Sequence, residues 1–188
     1  FGMPVWQSVV AVALSFFLAL VACRVTGETD TTPVGAMGKV TQLTFGALSP
    51  GNVNVNLMSA NITAGAATSA ADLLTDLKSG YLLGANPRQQ FLAQFSGIFV
   101  GTVVTVLSFA VVVPNAQVLG TDQFPAPAAQ TWSAVAIALG QGLSSLESVK
   151  LWLIFAGGVV GVVLTLAPVL LPKYQEYLPS AAAFGLAW

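Results

Sequence analysis

The stretch that decides the fold is PGNVNVNLMSANITAGAATSAADLLTDLKSGYLLGANPR, residues 50–88. It opens with a Pro-Gly break and predicts a helix of roughly 25 residues that closes in a short basic loop. On a helical wheel of about 100° per residue, a row of small and polar residues falls within about 40° of one line. The row consists of Asn54, Asn61, Gly65, Thr68, Asp72 and Asp76. It is about 33 Å long, close to the thickness of a bilayer's hydrocarbon core, so we expect it to cross a membrane without facing lipid.

The opposite face of the predicted helix is also polar near its start. It carries Asn52, Asn56, Ser59 and Thr63. An amide without a partner is costly in hydrocarbon, so a helix with two polar faces belongs inside a bundle or beside a wet cavity. Two interpretations stay open at this point. These residues only pack helices together, as small and amide residues do in membrane proteins, or they also line a pathway.

The composition is that of an integral membrane protein. Of the 188 residues, 55% are hydrophobic and only 7% are charged, and the mean hydropathy is +0.81. A soluble domain is nearer about a quarter charged. The sequence starts inside one apolar segment and stops inside another, AAAFGLAW. We therefore expect residues 1–188 to be an internal part of one transmembrane domain in a longer chain.

Charge and metal-binding residues limit the functions that the sequence supports. The net charge is −1, and no basic run is present that would neutralise a nucleic-acid backbone, so no nucleic-acid partner is expected. With no His and the single Cys23, we expect no zinc or iron site built from protein ligands. Any metal would arrive already chelated, and no cofactor is expected.

Apolar runs of spanning length predict an all-α fold, a polytopic transmembrane helix bundle. The predicted spans cover about residues 4–23, 53–77, 89–113 and 150–171, with a partial span from 179. The lipid bilayer and the remaining helices of the parent chain are the expected partners of these segments. A multi-pass protein of the plasma (inner) membrane is the expected location.

Residues 27–49 have a different pattern. Glu28, Asp30 and Lys39 lie among glycines and a proline, and only a ten-residue apolar piece, VTQLTFGALS, follows. Irregular backbone at membrane depth is tolerated only where protein or a cavity surrounds it, which favours a broken or re-entrant segment with a half-helix. The alternative is a surface loop with an interfacial helix. Residues 114–148 are similarly polar, and they predict an interfacial stretch or a short re-entrant hairpin.

The distribution of basic residues predicts the topology. Lys78 and Arg88 lie in one loop, and Lys173 lies in the next loop on the same side. By the positive-inside rule this side is cytoplasmic, which places residues 114–148 outside. Arg24 is cytoplasmic as well if residues 27–49 cross the membrane, and external if they re-enter.

Three blocks of the sequence carry a resemblance to a known family. They are GETDTTPVGAMGKVTQL from Gly27, SPGNVNVN from Ser49 and DLKSGYLLGANPRQQF from Asp76. The sequence resembles the oligopeptide transporter superfamily, which includes peptide permeases and the yellow-stripe-like carriers of metal chelates. The last block is similar to a D-[LF]-K-x-G motif followed by Y-M-K-I-P-P-R-x-x-F. The chain departs from it at residues 84–86, where Gly-Ala-Asn replaces Lys-Ile-Pro, which indicates a different, prokaryotic branch.

The resemblance implies a multi-spanning secondary carrier, driven by protons, that takes up small peptides or peptide-like metal chelates. From the residues themselves we expect a substrate route along the polar helix, with the start of the helix favouring an anionic group. The candidate substrate-binding residues are Asn52, Asn54, Asn56, Asn61, Thr68 and Gln42. For coupling, the candidate proton carrier is Glu28, with Asp30 as second choice and Lys39 as charge partner.

Other functional classes have weaker support in the sequence. Asp72 and Asp76, one helical turn apart, are a carboxylate pair of the kind that intramembrane hydrolases use. The sequence contains no GxSxG, HExxH or GxGD pattern, and pairing of these carboxylates with Lys78 or Arg88 is the simpler interpretation. We therefore expect no enzyme. A non-transporting scaffold or a channel subunit is the remaining alternative.

Overall fold

The computed structural model describes residues 2–141 and 147–187, and within these ranges the chain is built from α-helices. The helices are α1 (Val5–Thr29), α2 (Val34–Leu48), α3 (Val53–Leu82), α4 (Pro87–Val112), α5 (Pro127–Gly140), α6 (Ser148–Leu170) and α7 (Ala181–Ala187). Short 3-10 turns cover Ala116–Val118 and Pro172–Tyr177. The helices α1, α4 and α6 are long and apolar enough to cross a membrane. The predicted all-α class is confirmed.

Local signals set most helix ends close to their predicted positions, with two exceptions. The side chain of Asn52 caps α3 by accepting from the backbone of Val55, and Asn86 caps α4 ahead of Pro87. The first exception is α1, which continues six residues beyond the predicted end at residue 23 because Gly27 is accommodated inside the helix. The second is α3, which runs to Leu82 instead of residue 77.

Two layers of buried apolar side chains show the directions of the first three helices. One layer contains Ala11, Phe45 and Val55. The other contains Ala22, Met37 and Ala67. From the first layer to the second, the numbering rises in α1 and α3 and falls in α2. The helices α1 and α3 are therefore parallel, and α2 returns between them.

The segment 27–49 forms a short helix between two turns. Only residues 30–33 and 49–52 lie outside the helices, so the backbone from Gly27 to Gly38 is mostly helical rather than unwound. With 15 residues, α2 is about 22 Å long, shorter than a hydrocarbon core of about 30 Å. Because α2 returns along α3, the end of α1 with Arg24 lies on the same side of the bundle as the loop between α3 and α4.

The helix α5 lies parallel to α2. A Cβ added at Gly38 would meet the Trp132 ring at 2.4 Å, and one added at Gly46 would meet Leu139 at 3.1 Å. The last residue of α5, Gly140, contacts Val53 at the start of α3. The helix therefore runs toward the side of the bundle on which α3 begins.

The segment that contains α5 starts and ends on the same side of the bundle, the side on which α3 begins. The helix α4 runs opposite to α3, since Gln94 near its start contacts Asp76 near the end of α3. The helix α6 leads to Ser180, which contacts Glu28 at the far end of α1, so α6 starts where α3 starts. The connection from Val112 consequently turns back into the bundle before α5 returns. Residues 113–140 form a re-entrant segment.

Candidate polar site between α2, α3 and α5

Five buried polar residues join α2 and α3, and we call them the polar cluster. Its members are Thr41, Gln42, Asn56, Ser59 and Thr63, each at most 2% exposed. The Thr41 hydroxyl donates to the Thr63 hydroxyl at 2.8 Å. The Asn56 amide nitrogen donates to the backbone carbonyl of Gln42 at 2.6 Å, and the Ser59 hydroxyl donates to the carbonyl of Asn56 at 3.0 Å. The Thr41–Thr63 and Asn56–Gln42 bonds fix the register of α2 against α3, whereas the Ser59 bond lies within α3.

The polar cluster lies in the middle of the membrane-spanning layer. It is placed between the two apolar layers that align with Ala11 and Ala22 of α1, and α1 is itself a helix of spanning length. The buried Ser15 of α1 lies between the same two layers along the chain. Substrate and ion sites of secondary transporters occur at this depth, beside discontinuous helices.

Helix α5 covers one side of the cluster. The side-chain nitrogen of Gln42 donates to the backbone carbonyl of Trp132 at 3.0 Å. Gly38 and Gly46 let α5 approach α2 closely, because neither position leaves room for a Cβ without movement of Trp132 or Leu139. The sequence analysis did not identify Trp132 or the two glycines. A signal for them exists in small residues at helical spacing on α5, where Ala136 and Gly140 face the bundle.

Two side-chain oxygens of the cluster have no hydrogen-bond partner in the part of the chain that the structure describes. They are Oε1 of Gln42 and Oδ1 of Asn56. Each amide uses its nitrogen to donate to a backbone carbonyl, which fixes the orientation of the group. Amide orientation is assigned from such hydrogen-bond networks. The cluster therefore presents buried acceptors and no spare charge.

The second polar face of α3 is exposed, and we call it the open face. It contains Asn54, Asn61 and Thr68, and Gly65 and Asp72 extend it. No other element of the described chain covers these residues. Since Asn54 and Asn61 align with the apolar span of α1, an open polar surface extends along the membrane-spanning layer. This arrangement fits a wet or protein-filled surrounding and not lipid.

The structure places the remaining candidate substrate residues on the covered side. Asn52 is half-buried and is occupied as the cap of α3, where its side chain accepts from Val55 at 3.1 Å. Asn56 and Gln42 belong to the polar cluster. Five of the six predicted residues thus lie on two separate faces of α3 or at its start, and Gln42 lies on α2 against the covered face. Their roles in binding stay predictions.

The coupling candidates lie around the turn between α1 and α2. Glu28, in the last turn of α1, pairs with Arg24 at 3.0 Å and accepts from the Ser180 hydroxyl at 3.0 Å. Asp30 ends α1 in a left-handed conformation with φ 56°. Lys39 is exposed on α2 and makes no ion pair within the described ranges. In this structure Glu28 thus pairs with Arg24, one helical turn earlier, and the role of Lys39 as a charge partner stays a prediction.

Asp76, near the end of α3, joins α3 to α4 in a helical hairpin. Gln94 donates to the Asp76 carboxylate, and Gln90 donates to the Asp76 backbone carbonyl. Gly80 provides the space for the Gln90 side chain, which a Cβ there would overlap. The expected pairing of Asp72 or Asp76 with Lys78 or Arg88 does not occur among the described residues. Across residues 2–141 and 147–187, no group of three or more His, Cys, Asp or Glu residues is arranged to hold a metal ion.

A short helix and a re-entrant helix around a buried polar cluster are features of polytopic transport proteins. The comparison with protein families agrees with this class. The chain belongs to the OPT oligopeptide transporter family, whose model matches residues 1–188. Members of this family are transporters and not enzymes, as expected from the sequence.

Sequence similarity to two relatives supports the same family. The chain is 32% identical over 198 residues to "Putative oligopeptide transporter YGL114W" of Saccharomyces cerevisiae, with 97% of this chain and 26% of the relative covered. It is 32% identical over 187 residues to "Probable metal-nicotianamine transporter YSL13" of Oryza sativa subsp. japonica, with 96% and 26% covered. The chain thus spans about a quarter of the length of these relatives. No solved structure matches it.

The expected prokaryotic branch is not supported, because these relatives come from yeast and rice. The residues behind that expectation have a local structural explanation. Gly84 adopts φ 75° in the turn after α3, and Asn86 caps α4. The departure from the family motif at residues 84–86 therefore reflects the geometry of this turn and does not identify a lineage.

Proposed function

We propose that the protein is a secondary active transporter that moves small peptides or peptide-like metal chelates across a membrane. The names of its relatives, an oligopeptide transporter and a metal-nicotianamine transporter, support these two cargo classes. The observation that carries the proposal is the open face of α3. A row of uncovered amide and hydroxyl groups at membrane depth needs water, cargo or protein beside it.

In this proposal, Asn54, Asn61 and Thr68 line the route of the cargo. Their side chains donate and accept hydrogen bonds without carrying charge, which suits the peptide groups and carboxylates of both cargo classes. Asn52 and Asn56 contribute from the start of α3, where the partial positive charge of the helix favours a carboxylate. Gln42 contributes from α2, beside Asn56.

Replacing Asn61 by Leu tests this route. We expect Asn61→Leu to lower peptide or chelate uptake at least tenfold, because a desolvated cargo group would lose its partner. The matched control is Asn115→Leu, which makes the same change in the exposed connection after α4. Equal abundance of both variants in the membrane is required. Unchanged uptake by Asn61→Leu would show that this amide has only a packing role.

Exchange of labelled cargo separates the transporter from the scaffold and channel alternatives. In proteoliposomes with equal cargo on both sides, a carrier exchanges labelled for unlabelled cargo without a net gradient. A scaffold gives no exchange, and a channel gives no stimulation by unlabelled cargo on the far side. Absence of counterflow would contradict the proposed function.

We further propose that protons drive uptake through Glu28 and that the protein lies in the plasma (inner) membrane. The support for Glu28 as the proton site is its position, since its carboxylate bridges the end of α1 to Ser180 ahead of α7. Protonation would weaken the hydrogen bond that the Ser180 hydroxyl donates to the carboxylate, and so loosen the contact between the end of α1 and the residue ahead of α7. Asp30 is the second candidate, and Lys39 is the nearby cation on α2.

Neutralising the carboxylate tests this coupling. Glu28→Gln should abolish accumulation driven by a pH gradient and preserve exchange at zero gradient, because cargo binding does not need the carboxylate. Asp122→Asn, in the connection before α5, is the matched control and should behave as the unmodified protein. Normal accumulation by Glu28→Gln would exclude Glu28, and Asp30→Asn would then be examined in the same assay.

A further inference from the structure

We propose that the polar cluster binds a monovalent cation through the side-chain oxygens of Gln42 and Asn56. Both residues are buried, at 0% and 2% exposure, and neither oxygen has a hydrogen-bond partner within residues 2–141 and 147–187. Buried acceptors without a donor are unfavourable, and they are rare in folded proteins. Two such oxygens, on residues that contact each other, can both accept from a guest that donates hydrogen bonds or carries positive charge.

The hydrogen bonds of the two amides exclude the simplest remedy, which is a flip of either group. A flip of Gln42 would turn its oxygen toward the carbonyl of Trp132, which now accepts from its nitrogen. A flip of Asn56 would do the same at the backbone carbonyl of Gln42. Both flips would bring two acceptors together without a proton between them. The oxygens consequently keep their orientation.

The chemistry of the surrounding groups selects the class of guest. The cluster supplies neutral oxygens, and the hydroxyls of Thr41 and Thr63 have lone pairs to add. Hard cations prefer such oxygen ligands, whereas zinc, copper and iron prefer nitrogen and sulfur. The cluster contains no carboxylate, so a divalent ion would remain largely uncompensated at membrane depth. A monovalent cation fits these ligands best.

The depth of the cluster agrees with an ion site. It lies in the middle of the spanning layer, between the short helix α2, the long helix α3 and the re-entrant helix α5. In transporters with broken helices, coupling ions bind at this depth. Two sources supply a cation of this chemistry, an alkali ion from solution or the ammonium group of a cargo. Neither source depends on Glu28, so the site is independent of the proposed proton coupling.

The test measures binding and not uptake, so its failure would leave the proposed transport function standing. The purified protein is melted in detergent at constant ionic strength, starting from choline chloride. Sodium, potassium or methylammonium chloride then replaces choline stepwise. A ligand that binds only the folded state raises Tm in a saturable manner. We expect a saturable rise of Tm with at least one of the three cations.

Matched variants assign the effect to the cluster. Gln42→Met keeps the length of the side chain and removes the oxygen, so the cation-dependent rise should disappear. Gln89→Met makes the same change at an exposed position of α4 and should keep the rise. If Gln42→Met does not fold, Asn56→Asp provides the second measurement. A carboxylate beside the cation should lower the half-saturating concentration by about tenfold or more.

Each outcome decides the proposal. A rise with sodium or potassium supports an alkali ion, and a rise with methylammonium alone supports the ammonium group of a cargo. A rise that survives in Gln42→Met, or that is unchanged in Asn56→Asp, would overturn the assignment to these oxygens. If none of the three cations raises Tm above its value in choline chloride, the proposal is wrong. Water would then be the hydrogen-bond donor to the two oxygens.

Discussion

The two polar faces of α3 carry the same kinds of residue and differ in what covers them. In the polar cluster, the Asn56, Ser59 and Thr63 side chains are buried, and those of Asn56 and Thr63 are hydrogen-bonded to α2. On the open face, Asn54 and Asn61 are exposed along the membrane-spanning layer. Asn54 and Asn56 are only two residues apart, yet they are on opposite sides of the helix.

This difference shows that residue type alone does not distinguish packing from lining a route. The amide of Asn56 has a backbone partner in α2, whereas the described chain gives the amide of Asn61 no covering element. The packing interpretation therefore applies to the polar cluster, which joins α2 to α3. The open face is exposed, and the interpretation that it lines a route stays a proposal.

The largest expected effect comes from closing the space that α5 needs at the cluster. Gly38→Ala would place a Cβ 2.4 Å from the Trp132 ring, so the ring or the whole of α5 must move. We expect a loss of about 1–3 kcal/mol in the free energy of unfolding, as for other overpacked sites. The measurement is denaturant unfolding of the purified protein.

Gly35 on the same helix provides the matched control for this prediction. A Cβ at Gly35 would meet nothing within 4 Å, so Gly35→Ala should stabilise α2 by up to about 1 kcal/mol through helix propensity. Equal effects of the two substitutions would contradict the packing of α5 on α2.

A smaller effect should separate the two faces directly. Asn56→Leu removes the amide that donates to the Gln42 carbonyl, and the loss of this buried hydrogen bond should cost about 0.5–1.5 kcal/mol of unfolding free energy. Asn54→Leu makes the same change on the open face, and its effect should stay within about 0.5 kcal/mol. A cost at Asn54 equal to that at Asn56 would show that the open face is also packed.

The sequence predicted the helical class and both faces of α3, because polar residues at helical spacing depend only on local geometry. The prediction for the end of α1 was wrong: the sequence placed it at residue 23, ahead of Gly27, and the helix continues to Thr29. A single glycine is tolerated inside a helix, and the pairing of Arg24 with Glu28 lies across this turn. Whether Gly27 breaks the helix or stays within it depends on such local interactions, and the spacing of apolar residues does not show them.

The covering of the polar cluster could not be predicted. It depends on Gly38 meeting Trp132, residues that are far apart in the chain and have no shared pattern. The re-entrant segment 113–140 was one of two interpretations of its sequence, and only the packing of α5 on α2 and α3 distinguishes them. Which oxygens of the cluster lack a partner likewise follows from tertiary contacts and not from residue type.

Cysteine accessibility along α3 tests the central claim that one face is open and the other is packed. In a background with Cys23→Ser, single cysteines are placed at Asn54, Asn61 and Thr68, and at Asn56, Ser59 and Thr63. A control cysteine at Val103 of α4 is exposed but lies in an apolar span. All are treated with a membrane-impermeant thiol reagent in the native membrane.

We predict that the reagent modifies the three open-face cysteines and spares the three cluster cysteines and the control at Val103. Modification of the cluster positions, or an open face as unreactive as Val103, would contradict the claim that the open face of α3 lines a wet route.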